Sequence, residues 1–268
     1  MNNKAIGIFD SGVGGLSCVK ELLQVLPGED IKYLGDTLRM PYGVKTIEEL
    51  HQCACDNVDF LQRRGVKLIA AACGTVSSNV PKENMANLTV PFVDVIRPTV
   101  TAALAATRSK RIGIIATPAT IRANSMGRRL EETDSDVKVI GVPCPDFVPL
   151  IESGHLDDDL IRKSAEGYLA EIKAFGADTL ILGCTHYPLI SKVISEILGD
   201  DVVLIDSGKE TATGIKLTLE SLGLLNGKTS GGNAEFFVTN NTSAFDDVAR
   251  IFLGEDAHIK SVLKDIKE

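Results

Sequence analysis

Apolar residues along this chain alternate between two periods. Short runs of β-branched and leucine residues at IGIF (6–9), IKYLGD (31–36) and VKLIAAAC (66–73) read as buried strands. After the first of them the apolar positions move to helical spacing, with Leu16, Val19, Leu22, Leu23 and Leu26 on one face. Thr46 and Glu49 have the spacing of a capping box and predict a helix running to Arg64, with Gly65 as its stop. PFVDVI (91–96) reads as a fourth strand. Strand and helix alternating in this way predict an α/β chain with mainly parallel sheets.

The pattern then restarts. RIGIIAT (111–117) sets Ile112-Gly113-Ile114 on Ile6-Gly7-Ile8, 106 residues on, and VKVIGV (137–142) falls on IKYLGD at the same offset. A second long helix carries Leu160, Ile161, Tyr168, Leu169 and Ile172 before Gly176. FGADTLILGCTH (175–186) then aligns without a gap on RGVKLIAAACGT (64–75), Gly176 on Gly65 and Cys184 on Cys73, and VVLID (202–206) closes the second set. Pro188 is expected to open the next helix, with Leu189, Ile190, Val193, Ile194, Ile197 and Leu198 at helical spacing and Gly199 closing it. Two pseudo-symmetric α/β lobes with a cleft between them are therefore expected. Their boundary is placed at Arg97-Pro98, because proline disfavours helix in the residue before it. The tail reads as a helix over 209–223, a strand at 234–239, a helix from Thr242 and a short strand in IKSVL. Packed back on the first lobe, it gives one lobe of 1–97 plus 208–268 and another of 98–207.

Composition narrows the class. A formal net charge of −8 over 268 residues, with no dense run of Lys and Arg, argues against a nucleic-acid binder. No apolar run reaches the ~18 residues of a membrane span, and Met1 to Lys4 leads straight into a strand, so a cytoplasmic protein is expected. Six cysteines in such a chain are expected to be reduced. Cys18, Cys53, Cys55 and Cys144 read as small core or surface residues, and Cys53-x-Cys55 does not have zinc spacing.

Cys73 and Cys184 differ from these four, since each ends the equivalent strand of its half. In open α/β sheets ligands bind at the carboxyl ends of strands. A pseudo-twofold axis would then set the two thiols on opposite sides of one cleft. Such a pair suits a reaction whose substrate and product are mirror images, one thiolate removing a proton while the opposite thiol delivers one. A free thiol has a pKa of about 8.5 and can serve in either form. Asp10 ends the first strand and His186 lies two residues beyond Cys184; either could accept a thiol proton or steady developing charge. Asp10 equally fits a helix N-cap. Gly12, Gly14 and Gly15 suit close approach of an anion such as a carboxylate to a helix N-terminus.

FDSGVGGL (9–16), the loop from Asp36 through Pro41-Tyr42-Gly43, ACGT around Cys73 and GCTHYP (183–188) together closely resemble the glutamate racemases. The resemblance runs in order from the first strand to about Ser207 and implies that the two lobes are Rossmann-like. It implies cofactor-independent interconversion of L- and D-glutamate for peptidoglycan, with no metal, and a homodimer. It implies Cys73 and Cys184 as the proton-transfer pair, acting on the D and L forms respectively, with Asp10 and His186 as assistants. Glu152 falls where the family has an acidic residue near the second cysteine. Substrate contacts implied are Asp10, Ser11, Tyr42, Gly43, Gly74, Thr75, Thr117, Thr120, Thr185 and His186. Many members have Asn where this chain has Gly74, so a side-chain amide is lost beside the first thiol. Ser11, Thr75, Thr117 and Thr185 are neutral donors, and an acidic substrate is expected to be held by them rather than by Arg or Lys. The alternatives are a racemase of the same group acting on aspartate or another amino acid, a two-lobed small-anion binding protein, and a cysteine hydrolase built on Cys184 and His186. One methylene discriminates by only ~1–3 kcal/mol, so the first of these differs least.

Overall fold

The β-branched runs become strands of two separate parallel sheets. The computed structural model describes residues 2–85, 88–254 and 259–267. Its first part runs β1 (Ile6–Asp10), α1 (Leu16–Val25), β2 (Ile31–Gly35), α2 (Ile47–Arg63), β3 (Leu68–Ala71), α3 (Gly74–Asn79), β4 (Phe92–Val93) and α4 (Ile96–Ala106). The second runs β5 (Arg111–Ala116), α5 (Pro118–Ala123), α6 (Ser125–Thr133), β6 (Lys138–Pro143), α7 (Phe147–Glu152) and α8 (Asp159–Phe175). It continues with β7 (Thr179–Leu182), α9 (Ser191–Leu198) and β8 (Val203–Asp206). The tail adds α10 (Ser207–Ser221), β9 (Ala234–Val238), α11 (Thr242–Leu253) and β10 (Ser261–Leu263).

One sheet has the order β10-β9-β2-β1-β3-β4 and the other β6-β5-β7-β8. The last four strands of the first and the four of the second therefore follow one order. Register agrees in detail. Ile6 pairs with Leu68 as Ile112 pairs with Thr179, and Ile69 pairs with Phe92 as Leu180 pairs with Leu204. The β5–β6 pair departs from the sequence alignment: Ile6 faces Ile31, but Ile112 faces Val139, two residues beyond the aligned Val137. A slip of two keeps each side chain on its own face, so the core tolerates it.

Both faces of each sheet are covered, as parallel sheets require. In the first, Ile6, Ile8 and Tyr33 pack with Leu16, Leu22 and Ile215 of α1 and α10, while Phe9, Leu34 and Ile69 pack with Val58 and Leu61 of α2. In the second, Ile115, Leu180 and Leu182 meet Leu169 and Ile172 of α8, and Ile112, Ile114 and Ile181 meet Val100 and Leu130 of α4 and α6. The capping box at Thr46 and Glu49 forms in both directions.

Several local expectations give way to side-chain hydrogen bonds. The fourth strand shrinks to Phe92–Val93, because Asp94 Oδ1 accepts the N–H groups of Ile96 (2.8 Å) and Arg97 (3.2 Å) and starts α4 early. Pro98 therefore lies inside the first turn of α4, where its missing N–H has no intrahelical partner to lose. α10 starts at Ser207 rather than 209, since Asp206 caps it through the N–H groups of Gly208 and Lys209. After Cys184 the chain makes a 3₁₀ turn, Tyr187–Ile190, before α9 begins at Ser191.

Candidate active site

The carboxyl ends of both sets of strands open on one cavity of about 680 Å³. Every candidate catalytic or substrate-contact residue lines it: Asp10, Ser11, Tyr42, Gly43, Cys73, Gly74 and Thr75 from the first half, and Thr117, Thr120, Glu152, Cys184, Thr185 and His186 from the second. Gly12, Gly14 and Gly15 do not; Gly14 packs instead on Thr185 and His186, and Gly15 on Asp10 and Tyr33. β1 ends at Asp10, Thr117 follows β5, and the two thiols stand two residues beyond β3 and β7. Cys73 is also the N-cap residue of α3, so the first free N–H groups of that helix lie beside its sulphur.

The thiols are matched, but their partners are not. Aligned at the two cysteines, His186 falls on Thr75 and Thr185 on Gly74, while Asp10 of β1 falls on Ala116 of β5. Cys184 Sγ lies 3.8 Å from His186 Nδ1, and His186 Nε2 lies 2.9 Å from Glu152 Oε1. Burial alone lowers the pKa of this imidazole, but contacts with Cys184 and Glu152 outweigh it and push the value up to about 10. The ring is therefore a cation at neutral pH, placed to donate to the Cys184 sulphur when that atom carries negative charge. Phe252 meets the same ring edge-on at 5.7 Å between centroids.

Around Cys73 the field has the opposite sense. Burial and then the neighbouring Asp10 carboxylate push the Cys73 thiol up, against the N–H groups of Val76 and Thr75. Asp10 is itself buried; its Oδ2 accepts the Gly12 N–H at 3.1 Å and its Oδ1 has no hydrogen-bond partner among the described residues. Desolvation raises its pKa, which His186 and the N–H groups of Gly12, Gly15 and Ser11 counteract. Asp10 does not cap α1, whose N-cap position is Gly15. It is instead a buried acid beside the Cys73 thiol, with its Oδ1 turned to no partner among the described residues.

Tyr42 enters differently from what its residue type suggests. Its hydroxyl donates to the fully buried Asp36 and accepts from Asn57 Nδ2 at 3.1 Å. Asp36 also holds Arg39 Nε (2.6 Å) and Thr239 Oγ1 (3.0 Å). The hydroxyl is thus committed behind the cavity wall, leaving the ring and the Tyr42-Gly43 backbone to face a ligand. Thr117 Oγ1 bridges Thr75 Oγ1 (3.3 Å) and Thr120 Oγ1 (3.0 Å), joining the two sides of the cavity.

The chain matches a family model described as Asp/Glu/Hydantoin racemase over residues 6–214. It is 42% identical over 251 residues to a glutamate racemase of Geobacter metallireducens, covering 94% of this chain and 93% of that one. The chain belongs to the Asp/Glu/Hydantoin racemase family. Its fold matches the crystal structure of a glutamate racemase isoform from Bacillus anthracis with a TM-score of 0.94 at 34% identity, covering 99% of this chain and 98% of that one. A glutamate racemase from Francisella tularensis in complex with D-glutamate matches with a TM-score of 0.90 at 34% identity, over 99% of each chain. The α/β architecture expected from the sequence, with its mainly parallel sheets, is the one these family members share.

The cavity wall also includes residues that the sequence reading did not place there, Cys144 and Arg122 among them. Cys144 follows β6, is a buried member of the second half's core as expected, and gives its thiol to Val142 O at 3.6 Å; it also lines the cavity. Arg122, near the end of α5, lines the mouth, is exposed, and has no ion-pair partner among the described residues. Neither belongs to a motif, and no local spacing marks them. Among the described residues no group of three or more His, Cys, Asp or Glu side chains could hold a metal, and no helix is long and apolar enough to cross a membrane.

Proposed function

We propose that this protein interconverts L- and D-glutamate by proton transfer between two thiols, without a cofactor. The observation that carries the proposal is the pair Cys73 and Cys184, ending matched strands and lining one cavity. The D-glutamate complex of the Francisella relative supports glutamate as the substrate. In the L-to-D direction Cys184, steadied by the His186 cation and Glu152, removes the α-proton, and Cys73 delivers one to the opposite face. In the reverse direction Cys73 is the base and Asp10 supports it. Each positioned proton-transfer group contributes ~10²–10⁴ in rate.

Ser11, Thr75, Thr117, Thr120 and Thr185 supply hydroxyl donors for the carboxylates, with backbone N–H groups at Gly43 and Gly74. Two α/β lobes, 1–97 with 208–268 and 98–207, serve as the bodies that face each other across the cleft. The tail strands support this division, since β9 and β10 extend the first sheet. Supply of D-glutamate for peptidoglycan, a cytoplasmic location and a homodimer belong to the same reading.

The test is to incubate metal-free, cofactor-free protein with pure L-glutamate and follow optical rotation and the D enantiomer by chiral chromatography. Racemisation to an equal mixture is expected. Folded protein that leaves L-glutamate unchanged would remove the reading, and conversion of L-aspartate alone would replace it with the aspartate alternative.

A further inference from the structure

The His186 ring is met from four directions, and one of them belongs to the tail. Its nitrogens face Cys184 Sγ (3.8 Å) and Glu152 Oε1 (2.9 Å). A Cβ built on Gly14 would stand 2.6 Å from its Cε1 and Nδ1, so the backbone before α1 lies directly against it. Phe252 of α11 meets it edge-on, with 5.7 Å between centroids and 81° between planes. Both rings are buried, and Phe252 shares its core with Leu16 and Leu22 of α1. This phenylalanine lies well beyond Ser207, so none of the motifs that mark the cavity includes it.

Local backbone structure does not orient this ring. His186 is the N-cap residue of the 3₁₀ turn Tyr187–Ile190, and its side chain caps nothing. A hydrogen bond weakens steeply only below ~120° at the hydrogen, so two bonds in the ring plane leave the imidazole room to tilt. Packing removes that room. A phenyl ring carries no donor or acceptor, so Phe252 confines the imidazole without competing with Cys184 or Glu152 for its protons. Cys73 has no such support: Thr75, which aligns with His186, bonds to Thr117 instead (3.3 Å). Resting on the two-thiol reading above, we propose that Phe252 is a positioning residue that holds the His186 imidazole in line with Cys184, so that the tail serves one of the two thiols. Without the ring the imidazole tilts, and its donation to the Cys184 thiolate weakens. Cys73, set at the N-terminus of α3, keeps its own partners. An edge-on aromatic pair is worth a factor of about 3 to 10 beyond the area it buries, and that factor falls on Cys184 alone.

The experiment measures elimination from each enantiomer of threo-3-chloroglutamate, a reaction that needs one thiol only. One thiolate takes the α-proton, the C–H pair becomes the Cα=Cβ bond, and chloride leaves with its bonding pair. The enamine tautomerises and water hydrolyses it to 2-oxoglutarate and ammonium. In Phe252→Leu the ratio of the L rate, which uses Cys184, to the D rate, which uses Cys73, is expected to fall about 3- to 10-fold. Glutamate racemisation, which needs both thiols, falls with the L rate. The same folded molecules supply both rates, so partial unfolding cancels from the ratio. Phe245→Leu is the matched control: Phe245 lies in the same helix and core but packs on Tyr33, and its loss is expected not to lower the ratio. An unchanged ratio in Phe252→Leu, a fall confined to the D form, or an equal lowering in Phe245→Leu would overturn the assignment. If Phe252→Leu does not fold, Phe252→Met carries the same comparison; failure of both to fold would also overturn it, since the ring then serves the core alone. A wild type that neither racemises glutamate nor eliminates chloride removes the functional reading and this inference with it, whereas an active wild type with an unaffected Phe252→Leu removes only the inference.

Discussion

Cys184 and then Glu152 favour the charged form of His186, and replacing the Glu152 carboxylate with an amide of the same shape measures its share. Glu152→Gln keeps a hydrogen-bond acceptor near Nε2, which now lies 2.9 Å from Oε1, but removes the negative charge. A hydrogen bond to a charged group is worth ~1.5–3 kcal/mol. The Glu152 side chain is 27% exposed, so the lower end applies. About 1.5 kcal/mol corresponds to about one pKa unit, which moves the imidazole from about 10 to about 9.

The sign follows from linkage. The folded pKa is raised above the ordinary 6.5. The stability this charged ring adds is thus complete below about 6.5 and lost as pH rises through about 10. The difference between wild type and Glu152→Gln is expected to be about 1.5 kcal/mol and flat until about pH 9, then to vanish above about pH 10. Urea unfolding at pH values from about 6 to about 10.5 reads it as a stability difference. Nitrogen chemical shifts of the His186 ring, identified against His186→Asn, read it directly. A wild-type ring that titrates near its ordinary value, or a stability difference that does not fade with alkali, would refute the reasoning.

Other outcomes follow from the same geometry. Cys73→Ser and Cys184→Ser are each expected to abolish racemisation yet keep elimination from one chloroglutamate enantiomer, the L form for Cys73→Ser and the D form for Cys184→Ser; a shared preference would replace two bases with one. Tyr42→Phe strands a buried carboxylate and amide and is expected to cost about 1–3 kcal/mol of stability in urea unfolding. Its KM for glutamate should hold, and a large rise in KM would show the hydroxyl contacting substrate after all. Arg122→Gln removes from the cavity mouth a cation without an ion-pair partner among the described residues. Steady-state kinetics at low and high salt are expected to show KM raised by up to about fivefold at low salt and unchanged at high salt.

The cavity was legible in the chain because its residues sit at strand ends, and strand ends are written in local pattern. The runs from Gly65 to Cys73 and from Gly176 to Cys184 have the same length, so equal register in two sheets brings both thiols to the same level. Features decided by long-range side-chain contacts were not legible. Asp94 could be read as part of a strand until its carboxylate was seen to cap α4. The Tyr42 hydroxyl faces away from the cavity only because Asp36 and Asn57 meet behind it. Arg122 reaches the mouth because α5 packs beside the turn at Tyr42–Val44, a contact between segments some 80 residues apart in sequence. Arg122 lines the same cavity as the hydroxyls expected to hold an acidic ligand, and the kinetics of Arg122→Gln test whether its charge joins them.

The strand order also explains how each half keeps its rim from pairing with a foreign strand. Exposed edges offer unpaired N–H and C=O groups that recruit other chains into aggregates. In the first sheet the outer side of β2, a strand buried at Ile31, Tyr33 and Leu34, is taken by β9 from the tail. The new rim, β10, has three residues and is flanked by Lys260 and Lys264. The second sheet has no such tail, and β6 stands at its rim. That strand begins with an exposed lysine, Lys138, and ends at Pro143, which has no N–H to offer. The two halves thus meet one hazard by different means: the first by added chain, the second by the residues of the strand itself.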